Sequence, residues 1–523
     1  MKKSRLLLAL LAIPFAVSLS SCALFDWISG GDETVVETPT IDVVSTMKIN
    51  LRSKSSKTLT PKLKNSTITN PVFVYSSSNT AVATVSSDGV VQGLSVGSTV
   101  VTISLKNNSK VNATVTVTVV DEEKDLYDYT LMFYMCGSTL EYDPEEYNPS
   151  NQGFFTKDIQ EMLSVTNMPD SVRIIIETGG ATKWYMESSY LEGATSISKT
   201  NLQRWEINNS THKLKLIENL STNEMAKSSS FQDFLTWGLN NYEAEQMGVI
   251  ISGHGGGIAG CAFDDNYLDS EGYSNSLNNA EVAKACEAAL ANSDRDKFTW
   301  IGYDCCLMQT ADTATVNAQY FDYMVAAQES ELASGWDHDV YFKKIRDNPS
   351  VTPEELLPEI CDSFVKQYHS DSESGSSKCL QTLSALDLSK TSALVSAFDT
   401  LCTKVGTGSS GYATFKSAFQ NSYNEFGEQC YGLCDFNSFV SKLSSSFSSE
   451  KTAVTNAVND LVISNKYCSK YSISPCGLNA FFPLCTDNRS QLRPGRSDYE
   501  DLIYTTKFSK WQTMCLLYGN FDW

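Results

Sequence analysis

Two short stretches carry the residues best suited to covalent chemistry. Gly248–Gly257 reads GVIISGHGGG: branched apolar residues, then Ser252 and Gly253, one imidazole at His254, and three glycines. Phe298–Met308 reads FTWIGYDCCLM and repeats the design with a different ending, delivering Asp304, Cys305 and Cys306. Apolar runs of this length that stop at glycine or a polar residue are buried strands of a parallel sheet. If the two strands end side by side, one supplies a thiol nucleophile and the other its base. The glycines after His254 let backbone N–H groups approach whatever sits beside the ring. Alternation along an extended segment allows only one of Cys305 and Cys306 to face such a site. The blander alternatives are a structural core-edge histidine and a cysteine buried as a small apolar residue. The glycine run and the matched strand ends favour chemistry.

The remaining histidines are less promising. His212 lies in the polar turn NNSTHK and His369 in a serine-rich stretch after a helix, both read as solvated. His338, in WDHD, reads as a surface or hydrogen-bonded ring beside acids.

Elements able to position His254 and Cys306 surround them. Tyr129–Met135 and Ser171–Glu177 are further apolar strands, and Trp184–Met186 with Leu202–Ile207 suggest an antiparallel excursion. A helix is expected near Glu281–Leu290, between the histidine and cysteine strands. Strands separated by helices imply an α/β domain with a mostly parallel sheet, whose sites lie at the carboxyl ends of the strands. Beyond Trp336 the chain turns helical: Thr352-Pro353-Glu354-Glu355 starts one helix, and Ser389–Val405 and Glu450–Val462 read as others. Gly477–Pro483 reads as a late strand.

Upstream the texture changes twice. Residues 1–21 have the basic start and short apolar run of an export signal, and Leu19-Ser20-Ser21-Cys22 resembles a bacterial lipobox. The expectation is cleavage before Cys22 and acylation of its thiol, giving a lipid-anchored, exported bacterial lipoprotein of the cell envelope or surface. Residues 22–42 read as a flexible stalk, 43–120 as an all-β module of short alternating strands, and 121–128 as a charged linker. The fold class is therefore multidomain: an all-β sandwich, an α/β core over 129–350, and a helical C-terminal part over 351–523.

The chain has 523 residues and a net charge of −21, which disfavours nucleic acid as a partner. Its 15 cysteines are scattered, with no C-x-x-C pairs at zinc-like spacing, so no metal site is expected from them.

Residues 43–120 resemble the bacterial Ig-like domain of the second group, through Ser78-Asn79-x-x-Val82-Ala83-x-Val85, Asp88-Gly89-Val90-Val91-x-Gly93 and Gly97-Ser98-x-x-Val101-Thr102-Ile103. We read it as a spacer rather than an adhesion module. Residues 128–523 resemble the clostripain family of cysteine peptidases, which have a caspase-like fold. The resemblance rests on Asp304-Cys305-Cys306-Leu307-Met308 and His254–Gly257, with Tyr134-Met135, Leu140-Glu141, Gly180-x-x-Lys183-Trp184, Arg204-Trp205, Gly335-Trp336, Ala385-x-Asp387-Leu388 and Asp435-Phe436 in support.

The resemblance implies a monomeric endopeptidase acting on proteins or peptides. Cys306 would be the nucleophile, His254 the proton shuttle, and the N–H groups of Gly255 and Cys306 the oxyanion donors. Asp304 would be the acid at the base of the P1 pocket, selecting Arg or Lys, with Glu329 and Glu331 as candidates for a second pocket acid. It also implies that no cofactor is required, although calcium could be held by Asp264, Asp265, Asp269 and Glu271. Family members are often cut after a basic residue following the histidine, yet Gly255–Val282 contains no Lys or Arg. The competing expectation is an Ig-bearing adhesin or scaffold with a silent peptidase-like domain.

Overall fold

Period-two patterning builds the first region. The strand Asn108–Val120 buries Val115, Val117 and Val119 and turns Thr114, Thr116 and Thr118 outward. It joins Thr46–Asn50, Gly97–Leu105 and Phe73–Ser77 in a four-stranded sheet, which faces a three-stranded sheet of Ser56–Thr58, Val90–Gly93 and Ala83–Val85. Ile49, Val91, Val101 and Ile103 fill the space between with the three valines. The computed structural model describes residues 38–66, 68, 70–142, 153–268, 274–370, 381–422, 432–468, 471, 473–483 and 508–519. Cys22, the signal and most of the stalk lie outside the described residues.

The second region is organised on a ten-stranded sheet. In chain order its strands are β1 (Tyr127–Cys136), β2 (Val172–Gly179), β3 (Leu191–Glu192), β4 (Gln203–Asn208), β5 (Lys213–Asn219), β6 (Ala244–Ser252), β7 (Phe298–Asp304), β8 (Phe321–Ala326), β9 (Thr382–Asp387) and β10 (Val462–Tyr467). Their spatial order is β3-β5-β4-β2-β1-β6-β7-β8-β9-β10. The central run β2-β1-β6-β7-β8 is parallel throughout. Strands β9 and β10 continue the sheet antiparallel, so the otherwise helical C-terminal part also completes the catalytic sheet.

Side-chain alternation divides the core between the two faces. Val249, Ile251, Ile301 and Tyr303 point to one face, covered by α2 (Ser228–Asn241) and α3 (Asn279–Ala291). Phe133, Ile250 and Trp300 point to the other, covered by α1 (Phe154–Ser164) and α4 (His338–Asp347). Asp304 follows Trp300 by four residues along β7, so it falls on the α1/α4 face. Helix α3, the crossover between β6 and β7, begins with a capping box made by Asn278 and Glu281.

The segment Trp184–Met186, expected as a strand, is irregular; the short β3 follows it and pairs parallel with β5. The buried carboxylate of Glu141 captures the Tyr185 N–H at 2.9 Å, taking a donor that a strand ladder would need.

The β-sandwich is docked onto the second region. Lys57 reaches across to donate to the carbonyls of Leu290 (2.8 Å), Ala291 (2.9 Å) and Ser293, at the C-terminal end of α3. A cation there satisfies orphan carbonyls and meets the negative end of the helix dipole. Asn50 adds a bond to Asp294 at 2.9 Å, and Lys54 an ion pair with Asp296. Burial lowers the Lys57 pKa to about 8. The spacer expected from the sequence thus grips the helix that links the histidine strand to the cysteine strand. Among the described residues, no helix is long and apolar enough to cross a membrane.

Candidate active site

Strand register brings the two sequence motifs together. In the parallel pair β6/β7, Ser252 is the partner of Asp304, and Gly253 N–H donates to the Asp304 carbonyl at 3.2 Å. His254 and Cys306 each lie two residues beyond that shared row. Behind them the backbones touch: a side chain at Gly255 would place its Cβ 2.3 Å from the Cys306 carbonyl oxygen and 2.9 Å from its nitrogen. Only glycine permits that approach. Cys305 points into the core, with its thiol 3.3 Å from the Ile251 carbonyl, whereas Cys306 is partly exposed.

The loop after β8 shapes the other side of Cys306. Glu331 N–H donates to the Cys306 sulfur at 3.2 Å, and Leu307 N–H donates to the Glu329 carbonyl at 3.1 Å. Leu307 holds a left-handed φ of 67°, so the turn after the cysteine is strained. Burial raises the Cys306 pKa, and the Glu331 N–H works against that rise. Burial lowers the His254 pKa, opposed by the charge of Asp265. Both shifts favour a neutral thiol and a neutral imidazole at rest.

A third strand end contributes residues that sequence reasoning missed. Past β1, Thr139 Oγ1 lies 2.8 Å from His254 Nε2. Asp265 accepts from Thr139 N–H at 3.2 Å, from the Ser138 hydroxyl, and from the Ser274 hydroxyl at 2.5 Å. This links a carboxylate to the imidazole through the turn Ser138–Glu141. The available signal was the Cys136-Gly137-Ser138 ending of β1, which marks a third strand stopping on the same edge of the sheet. Asp264 spends its oxygens on the N–H groups of Met225 and Asn266, at 3.0 and 3.1 Å. Of the four acids considered for calcium, Asp269 and Glu271 lie outside the described residues.

Asp304 is buried beside Glu331 and His338. Burial pushes the Asp304 pKa up to about 6, against a hydrogen bond from Glu331 and one from the Trp336 backbone. Burial and the neighbouring Asp304 charge push Glu331 well above the carboxylate range. Glu331 is therefore the more readily protonated of the two. Glu329 is buried, its N–H 3.2 Å from Thr382 Oγ1. Of the two expected states of His338, a surface ring or a hydrogen-bonded ring beside acids, the structure has the second: the ring is fully buried, its edge packs against Phe133, and its Nδ1 lies 2.7 Å from the Tyr341 hydroxyl. Burial lowers its pKa to about 3. His212 occupies the turn between β4 and β5 with φ 53°, and the His369 side chain is outside the described residues.

The model of the clostripain family matches residues 144–516, most of the chain. The chain belongs to the clostripain family. It is a cysteine peptidase, with a bacterial Ig-like domain of group 2 matched over residues 37–124. Among solved structures, the clostripain-like chain is similar to a secreted C11 cysteine protease of Bacteroides thetaiotaomicron called iotapain. That match has a TM-score of 0.53 at 15% identity, and covers 74% of this chain and 99% of the other. An inactive zymogen C11 protease of Parabacteroides distasonis matches with a TM-score of 0.47 at 15% identity, covering 69% and 93%. No curated protein matches the sequence. Of the cysteines in the described residues, Cys468 is in a disulfide and the other ten are free thiols.

Proposed function

We propose that this clostripain-family peptidase is an extracytoplasmic endopeptidase using a Cys306/His254 dyad and cleaving after Arg or Lys. The observation that carries the proposal is the β6/β7 register, which sets His254 and Cys306 at equivalent positions past neighbouring strand ends. His254 takes the thiol proton as the Cys306 sulfur bonds to the scissile carbonyl carbon. It then passes that proton to the leaving amine, and water later hydrolyses the thioester. Thr139 holds the imidazole through Nε2, leaving Nδ1 for the proton. The N–H groups of Gly255 and Cys306 would be the oxyanion donors, a reading supported by the close approach of the two backbones.

Asp304 and Glu331 are the acids for a basic P1 side chain, with Glu329 in the same loop. An arriving guanidinium or ammonium would pair with Asp304 and favour release of a Glu331 proton to solvent, so that it meets two carboxylates. Cys22 is proposed as the lipid anchor, on the lipobox pattern alone. Loss of labelling by a fatty-acid probe in Cys22→Ala would support it, and undiminished labelling would refute it.

The decisive experiment compares the chain with its Cys306→Ala variant on fluorogenic peptides that differ only at P1. The expected result is cleavage after Arg or Lys that disappears in the variant. Cleavage after other residues would retain the dyad and remove Asp304 from its role. Cleavage that survives in Cys306→Ala would overturn the proposal.

A further inference from the structure

Behind the end of β7, three ionisable side chains meet out of contact with solvent. Asp304 ends the strand, Asp158 comes from α1, and His338 opens α4; their exposures are 6%, 5% and 0%. One donor atom from each lies within 4.8 Å of the other two. The Tyr341 hydroxyl occupies His338 Nδ1 at 2.7 Å. Among the described residues the other ring nitrogen, Nε2, has no hydrogen-bond partner, and neither does Asp304 Oδ2, which it faces at 3.7 Å.

That separation is too long for a hydrogen bond. Two unpartnered polar atoms aimed at each other in a dry interior leave their desolvation uncompensated. The distance does suit two ligands of one ion, because donors at roughly 2.0–2.2 Å from a tetrahedral metal stand about 3.3–3.6 Å apart.

We propose that Asp158, Asp304 and His338 bind a single divalent transition-metal ion of the zinc type. One imidazole with two carboxylates fits zinc, manganese or iron. Calcium and magnesium favour oxygen-only cages. Fixing the far ring nitrogen, as Tyr341 does here, is the outer-shell support that metal-bound imidazoles commonly have. A second trio, Glu161, Asp337 and Asp339, is partly exposed and also groups within 4.8 Å. The His338 backbone N–H donates to Glu161 at 3.1 Å, so these outer acids adjoin the buried trio.

The ion would tie β7 to α1 and α4 two residues before Cys306. Held through Oδ2, Asp304 would keep its other oxygen for Glu331 and the P1 pocket. The site stands on its own geometry and does not depend on the P1 preference proposed above.

The test uses the full chain carrying Cys306→Ala, which removes the exposed thiol as a competing ligand. After chelation, zinc and then cobalt(II) are titrated in, with bound metal measured by equilibrium dialysis and elemental analysis. The expected result is one equivalent bound, an upward shift of the melting temperature, and at least tenfold weaker binding in His338→Gln and in Asp158→Asn. The cobalt spectrum should show ligand-field bands without thiolate charge transfer, a readout that holds even if a variant fails to fold. No stoichiometric binding, undiminished binding in both folded variants, or thiolate charge transfer would each overturn the proposal.

Discussion

Two groups of acids, each with a buried member, flank the central strands, and they are solved differently. On one side Glu177, at the end of β2, is fully buried and meets Arg204 Nε at 2.9 Å. The same guanidinium reaches Glu218 at 3.0 Å and Asp233 at 2.6 Å, and stacks 5.1 Å from the Trp237 ring. On the other side Asp158, Asp304 and Glu331 gather with no lysine or arginine among their described ion-pair partners, only the neutral ring of His338. The first group carries its own cation, fixed by three carboxylates. The second is short of one, at the place where a cationic P1 side chain or a metal ion would supply it. Burying acid without a counter-charge costs stability, and such sites tend to be functional.

Removing the built-in cation should produce the largest effect. Arg204→Met leaves Glu177 buried and uncompensated, at an expected cost of about 3–5 kcal/mol by chemical denaturation. Burial already pushes the Glu177 pKa up to about 8 beside Arg204, and losing the guanidinium raises it further. The deficit should therefore be full only above that range, and shrink as pH falls through it and Glu177 takes up a proton. A deficit independent of pH would mean that Arg204 acts through packing alone.

Asp304→Asn should behave oppositely, with little change in stability but a loss of about a hundredfold in kcat/KM for Arg or Lys at P1, about 2.7 kcal/mol. Peptides with a neutral P1 should lose far less. For the unmodified chain, KM toward a basic P1 should fall as pH rises through about 6, where Asp304 gains its charge. That dependence should vanish in Asp304→Asn.

Lys57 is another buried cation whose partners are built in, here carbonyls at the end of α3. Lys57→Met should cost about 1–3 kcal/mol, since three carbonyls lose their donor. If the sandwich were a passive spacer, thermal denaturation would show no change in the peptidase transition.

The smallest effect is expected at Asp265. Its charge raises the His254 pKa, so Asp265→Asn should lower that pKa and move the acid limb of the pH–rate profile to lower pH. The rate at the plateau should fall only a few-fold, through looser support of Thr139. A limb that does not move would detach Asp265 from the imidazole.

The site was more legible in the sequence than its supports. Branched apolar runs ending in His254 and in Asp304-Cys305-Cys306 announce strand ends, because only buried parallel strands combine that length with that composition. The alternating valines of 111–119 announce a sandwich sheet for the same kind of local reason. The turn carrying Thr139 was not legible, because its value depends on β1 lying beside β6. His338 read as either a surface or a hydrogen-bonded ring beside acids, since a one-dimensional pattern cannot show that α4 folds its first turn onto Phe133 and β7.

The sequence by itself determined most of the element types, the order of the two regions, and which imidazole and thiol are proposed to act, because patterning and glycine placement act over a few residues. The tertiary structure alone decided that Ser252 and Asp304 share a register, that Lys57 caps α3, and that Asp158 and His338 converge behind Asp304. These are contacts between residues about fifty to more than two hundred positions apart. They are set by how sheet and helices close around a common core, which no local pattern encodes.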